Sequence, residues 1–212
     1  MKSHRLILCI LFSFPFLILN GQYFIGGNVQ VNNSSEKTEY LNSLTQNTSS
    51  LSLTFSPLCA RFLTEKLAVG IEIDFTLHRV KFGVNPEIID NTPEIGIVPF
   101  IRYYGWTWNK FSVFGEGYAG IQFSKNTQKS GNTTTTGPHS TGVFLGIYPG
   151  LSYALSEKWS FQANLNFLDL NYNYTSTRDG STTEKASNIS FGTGLDNIIS
   201  TGNLTVGAIY RF

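Results

Sequence analysis

The 212 residues carry 15 Lys and Arg against 14 Asp and Glu, a formal net charge of +1. That balance leaves no basic stripe able to neutralise a run of phosphates, which excludes a nucleic-acid partner. Only 14% of residues are charged while 41% are hydrophobic, with 17 Phe, 10 Tyr and 20 Gly, a mixture suited to strands apolar on one face rather than to a helix bundle.

In chain order, Lys2, His4 and Arg5 precede an apolar run from Leu6 to Leu19 that Pro15 interrupts. The run falls short of the roughly 20 residues a membrane helix needs. It reads as a secretory signal peptide over 1–21, with the mature chain starting at Gln22. Cys9 lies inside it, so Cys59 remains as a single cysteine and no internal disulfide is expected. Further on, no stretch of 18 uninterrupted apolar residues occurs, and no transmembrane helix is expected.

From Gln22 onward the hydrophobic period is two. Leu67, Val69, Ile71, Ile73, Phe75 and Leu77 alternate with Ala68, Gly70, Glu72, Asp74, Thr76 and His78. A strand places Glu72 and Asp74 on one side, whereas a helix would scatter them. The same alternation predicts strands near 22–32, 51–63, 67–78, 94–105, 111–124, 141–155, 159–173 and 202–212. Long polar connections at 33–50, 79–93, 125–140 and 174–187 alternate with short turns at 64–66, 105–110 and 156–158. That rhythm predicts an all-β fold: a transmembrane antiparallel up-and-down β-barrel of about eight strands, long loops outside and termini inside. About ten residues at 3.3 Å, tilted by about 40°, climb roughly 25 Å, the height of the apolar band of such barrels. Residues 188–197 alternate out of phase with the last strand. They are expected as its protruding upper part, with a bulge or break between Asp196 and Gly202.

A soluble lipocalin-like ligand-binding barrel is the competing architecture, but such barrels turn charge outward. Here few charges lie within strands, and Tyr103, Tyr104, Trp106, Trp108, Tyr153, Trp159, Tyr210 and Phe212 gather at strand ends, as interfacial girdles do.

The chain ends on Thr205-x-Gly207-x-x-Tyr210-x-Phe212, which resembles the β-signal that the outer-membrane barrel assembly machinery reads on a final strand. A strand edge offered for transient pairing supplies the physical rationale. Three further stretches carry a family resemblance: Ser56-Pro57 through Gly70, Pro99-Phe100-Ile101-Arg102-Tyr103-Tyr104, and Pro149-Gly150-Leu151-Ser152-Tyr153-Ala154-Leu155-Ser156. They resemble recurring patterns of the outer-membrane protein β-barrel domain family, relatives of the OmpA/OmpX-type eight-stranded barrels. The chain departs from the pattern at Ala60-Arg61-Phe62, which puts a charge near the inner rim. The resemblance implies the barrel and a place in the bacterial outer membrane; it implies no one activity.

Glu72, Asp74, Arg102 and Glu116 are expected to face the lumen beside Gln162, Asn164 and Asn166, because an arginine facing lipid costs roughly 2–4 kcal/mol at the midplane. Buried charges need partners, so these four are expected to form a structural ion-pair network that plugs the bore. A gated proton or ion path, or a hydrolytic site on the barrel, is the functional alternative. Gly115-Glu116-Gly117-Tyr118-Ala119-Gly120 matches G-x-G-x-x-G but sits inside a strand, where a dinucleotide fingerprint would need a following helix. Its glycines are expected to make room for large interior neighbours or to mark bends. His78 and His139 lack a nucleophile signature beside them, and neither HExxH, CxxC, GxSxG nor a Walker loop occurs. The expectation is therefore a non-enzymatic barrel without cofactor or metal, with a structural or surface-interaction role. Its expected partners are outer-membrane lipids, the assembly machinery and an unknown extracellular ligand at the long loops. The alternatives are a narrow porin or transporter-like channel and a lipid-modifying enzyme using Ser and His78.

Overall fold

The computed structural model describes residues 22–39, 45–83, 87–191 and 204–212. The signal peptide placed at 1–21 and the bulge or break placed between Asp196 and Gly202 lie outside the described residues. The strands are Tyr23–Glu39 (β1), Thr45–Phe62 (β2), Leu67–Phe82 (β3), Ile88–Trp108 (β4), Phe111–Ser130 (β5), Thr133–Ala154 (β6), Trp159–Leu165 (β7), Leu170–Asp179 (β8), Thr182–Phe191 (β9) and Leu204–Arg211 (β10).

These ten segments make eight staves. Antiparallel ladders run from β1 through β2, β3, β4, β5 and β6 to β7, and β10 pairs with both β7 and β1, which closes the barrel. The seventh stave is interrupted by a 3₁₀ turn at Asn166–Leu168, and both its halves, β7 and β8, pair with β6. β9 returns beside β8, at the end of the barrel away from β10. Eight staves, not ten, surround the lumen.

The long connections differ from the polar loops expected at 33–50, 79–93, 125–140 and 174–187. Pairing continues out to Glu39↔Thr45, Phe82↔Ile88, Ser130↔Thr133 and Asp179↔Thr182, so each is a β-hairpin projecting beyond the belt. Loss of apolar alternation does not end a strand whose register the buried part has set, and the threonines at 133–136 favour extended backbone. Gly131 (φ 57°) and Gly180 (φ 56°) supply the left-handed turn positions of two of these hairpins. His139, expected in a loop, lies in β6 opposite Arg178 and Lys125. At the other end Asn109 (φ 54°) makes the tight turn, so β4 runs on to Trp108.

Prolines mark where a ladder is interrupted. The β2–β3 pairing skips Ser56 and Pro57, β4–β5 skips Val98 and Pro99, and β6 changes partner from β7 to β8 around Pro149. A residue without N–H is tolerated where no ladder bond is required.

The two faces have opposite chemistry. Outward-pointing Ile71, Ile73, Phe75 and Leu77 are 38–49% exposed, whereas inward Arg102 is 0% exposed. Such a surface is stable only against lipid. Among the described residues no charged side chain points outward between Val69 and Leu77 or at the paired levels of β4; Arg79 marks the upper limit. A girdle of aromatics rings the short-turn end: Trp106 on Trp108 at 6.5 Å, Phe111 on Tyr153 at 4.7 Å and Trp159 on Tyr210 at 5.1 Å. Arg61, at that rim, lies 5.7 Å over the Tyr23 ring.

Of the three motif glycines, only Gly120 borders a large interior side chain. A Cβ there would meet the Phe144 ring at 2.5 Å, while one at Gly115 would meet nothing within 4 Å. Gly150, by contrast, lies directly beneath the Phe114 ring. Gly150→Ala is therefore expected to lower stability by about 1–3 kcal/mol, and Gly115→Ala to leave it nearly unchanged. Urea unfolding of the two variants in detergent micelles checks the pair; equal midpoints would contradict the packing.

Candidate functional site in the lumen

The lumen is layered along its axis. At the short-turn end it is filled by rings: Phe24 on Phe62 at 5.4 Å, Phe62 on Tyr104 at 5.7 Å and Tyr104 on Phe114 at 5.7 Å. The Arg211 guanidinium caps this stack, 5.3 Å from the Phe62 centroid. Leu58, Ala60, Ala68 and Ile209 complete an apolar plug.

Above it lies the plane of Arg102. Nε donates to Glu116 at 2.6 Å, Nη1 donates to Gln162 at 2.7 Å, and Nη2 lies 2.6 Å from Glu116. The guanidinium also rests 4.4 Å from the Phe114 centroid and 5.3 Å from that of Phe100, a cation–π setting that supports a planar cation out of water. Two hydrogen-bond chains lead away from this plane. In one, Gln162 donates to Asn28 at 2.6 Å and Asn28 donates to Glu72 at 3.1 Å. In the other, Tyr148 donates its hydroxyl to Glu116, and Asn164 donates to the Tyr148 oxygen at 3.2 Å. Asp74 accepts from Ser56 at 2.6 Å.

Above this plane the lumen opens into a cavity of about 390 Å³, lined by Glu72, Asp74, Glu116 and Asp169 together with Phe100, Tyr118, Phe144 and Tyr148. Inward residues below the Glu116 level, such as Phe114 and Tyr104, are buried, whereas Tyr118, Gly120, Gln122 and Ser124 above it are half-exposed. The lumen is thus open toward the hairpins and filled toward the short turns.

All four lumen charges singled out in the sequence project into this interior, but only Arg102 and Glu116 form an ion pair. Glu72 is reached through Asn28 and Gln162, and Asp74 is held by a serine. Tyr148, which bridges Glu116 to Asn164, was missed. It shares the inward parity of Ser152, Gly150 and Phe144 on β6, and a tyrosine on the polar parity of a strand is the signal that would have found it. Thr205, Gly207 and Tyr210 lie on β10. Thr205 accepts from Asn166 at 2.9 Å on the lumen side, Tyr210 faces outward in the girdle, and the Phe212 N–H donates to the Tyr23 carbonyl at 3.0 Å. A Cβ at Gly207 would strike the β1 backbone and Asn28. Among the described residues, no group of three or more His, Cys, Asp or Glu is placed to hold a metal ion. His78 lies on the inward face of β3 opposite Thr92, and no serine among the described residues hydrogen-bonds to it.

The fold and its lipid-facing belt define a class, the transmembrane antiparallel eight-stranded β-barrel. Among solved structures, the chain is similar to Neisserial surface protein A (16% identity, covering 90% of this chain and 97% of that one, TM-score 0.40). It is also similar to a major outer membrane protein from Thermus thermophilus (12%, 92% and 100%, TM-score 0.49) and to the outer membrane protein OprG from Pseudomonas aeruginosa (14%, 91% and 96%, TM-score 0.48). At these identities none of them lends its role to this chain. No family model matches the sequence, and no curated protein matches it.

Proposed function

We propose that the protein is a non-enzymatic barrel of the bacterial outer membrane, closed to conduction, whose role is structural or surface-interactive through its four projecting hairpins. The observation that carries this reading is the asymmetric lumen: Arg102 and a stack of aromatic rings fill the short-turn half, while four polar hairpins extend from the other. A bore of eight strands is already just wide enough for side chains, so a porin would need that plug removed. The exported address at 1–21 and the terminal Thr205-x-Gly207-x-x-Tyr210-x-Phe212 pattern support delivery to the outer membrane and hand-over to its assembly machinery. The belt supports lipid as the principal partner, and the hairpins are the surface for an extracellular ligand.

Two measurements test it together. In planar bilayers the purified protein is expected to give no discrete unitary steps; reproducible steps would replace the closed barrel with a channel. In intact cells, Thr134→Cys and Ser181→Cys in a Cys59→Ala background should react with a membrane-impermeant maleimide, and Lys66→Cys only after lysis. Labelling of Lys66→Cys in intact cells would reverse the orientation and remove the hairpins as a surface.

A further inference from the structure

We infer that the cavity above Arg102 is a binding site for a small organic ammonium ion, a property independent of whether the hairpins serve in adhesion. Four carboxylates line or floor the cavity, and the single nearby guanidinium is already committed to Glu116 and Gln162. Among the described residues, neither Lys nor Arg lines the wall.

Hydrogen-bond direction adds a second, independent observation. The Tyr148 hydroxyl hydrogen goes to Glu116, so its oxygen can only accept, and the Asn164 amide must present its NH₂ to it. That orientation turns Asn164 Oδ1 away from Tyr148. This oxygen is buried in a residue only 4% exposed, and it has no hydrogen-bond partner. An orphaned buried acceptor is costly, and it belongs to a cavity-lining residue. Several side-chain donors in or beside the cavity are committed to partners: Asn28 to Glu72, Ser56 to Asp74, Asn166 to Thr205 and Asn171 to Asp169. A wall with four carboxylates, no cation of its own and an unmet acceptor just behind it favours a ligand with N–H donors and positive charge.

Aromatic lining narrows the class. Phe100, Tyr118, Phe144 and Tyr148 share the cavity with the carboxylates, and the Tyr118 ring lies 6.1 Å from Phe144 and 5.5 Å from Tyr148. Ring faces attract an ammonium group while sheltering its carbon skeleton. A bare metal ion would find no use for them, and the described carboxylates do not converge on a metal site.

The experiment is calorimetric titration of the refolded barrel, in zwitterionic micelles at low ionic strength, with 1,4-diaminobutane and, separately, magnesium chloride. Saturable one-to-one binding of the diamine is expected, with no comparable binding of magnesium. Asp74→Asn and Asp169→Asn should each weaken it by about ten-fold or more. Phe144→Leu, which lies outside the hydrogen-bond network and keeps the inference testable if a carboxylate variant misfolds, should weaken it by about two- to five-fold. Retained heat-modifiable migration certifies each variant. Absence of saturable diamine binding, magnesium binding of equal strength, or diamine affinity unaltered in folded Asp74→Asn and Phe144→Leu would each overturn the inference.

Discussion

Arg102→Met is expected to lower the stability of the barrel by about 3–5 kcal/mol, the cost of leaving one member of a buried ion pair uncompensated. Methionine fills much of the space between Phe24, Phe100 and Phe114, so loss of packing is a minor part. The larger part is Glu116, which is 3% exposed and would keep only the Tyr148 hydroxyl as partner. The Gln162 carbonyl loses its donor at the same time. Arg102→Met combined with Glu116→Leu should recover most of the loss, because a buried pair replaced by apolar groups of similar volume is often neutral. The coupling between the two positions, read from urea midpoints of the four proteins, measures the pair directly. A single-variant loss below about 1 kcal/mol, the range of exposed pairs, would mean that water reaches this plane and that the plug is open.

Ile73→Arg is the second large effect. Ile73 points outward between Glu72 and Asp74, midway up the belt of β3. An arginine there should cost about 2–4 kcal/mol when unfolding is followed reversibly in phospholipid vesicles. Arg79, further up the same face, lies at the edge of the belt, and Arg79→Leu should change stability by less than about 1 kcal/mol. The contrast between two outward positions on one strand is the signature of a lipid slab. Equal small effects at both would mean an aqueous exterior, the condition of a soluble barrel.

The mean architecture was legible because its information is local. Alternation along β3 states which side chains meet lipid and which meet the lumen, and a one-residue shift would invert every one of them. The rhythm of short and long connections then orders the staves without any knowledge of their contacts. Where local alternation fades, sequence reading stopped too early. The described residues of 33–50, 125–140 and 174–187 are largely polar on both faces, and at Val80 and Phe82 the apolar residues switch to the opposite parity from Ile73 and Phe75. Their period therefore does not distinguish a strand in water from a loop. Pairing with an already registered neighbour carries them outward.

The lumen shows the other limit. Inwardness of Glu72, Asp74, Arg102 and Glu116 follows from parity, and their need for partners follows from burial. Which partners they take does not. Arg102 meets Gln162 at a separation of 60 positions, and Gln162 meets Asn28 at a separation of 134, because closure brings staves together around a circle that the linear order does not express. Height along the axis is set by strand stagger, a property of the whole barrel. The amino-acid sequence by itself determined the face each residue shows and the medium that face requires, since both are encoded residue by residue. Only the closed tertiary structure decided that one glutamate pairs with the arginine, that rings fill one half of the bore, and that the remaining carboxylates stand around an open cavity.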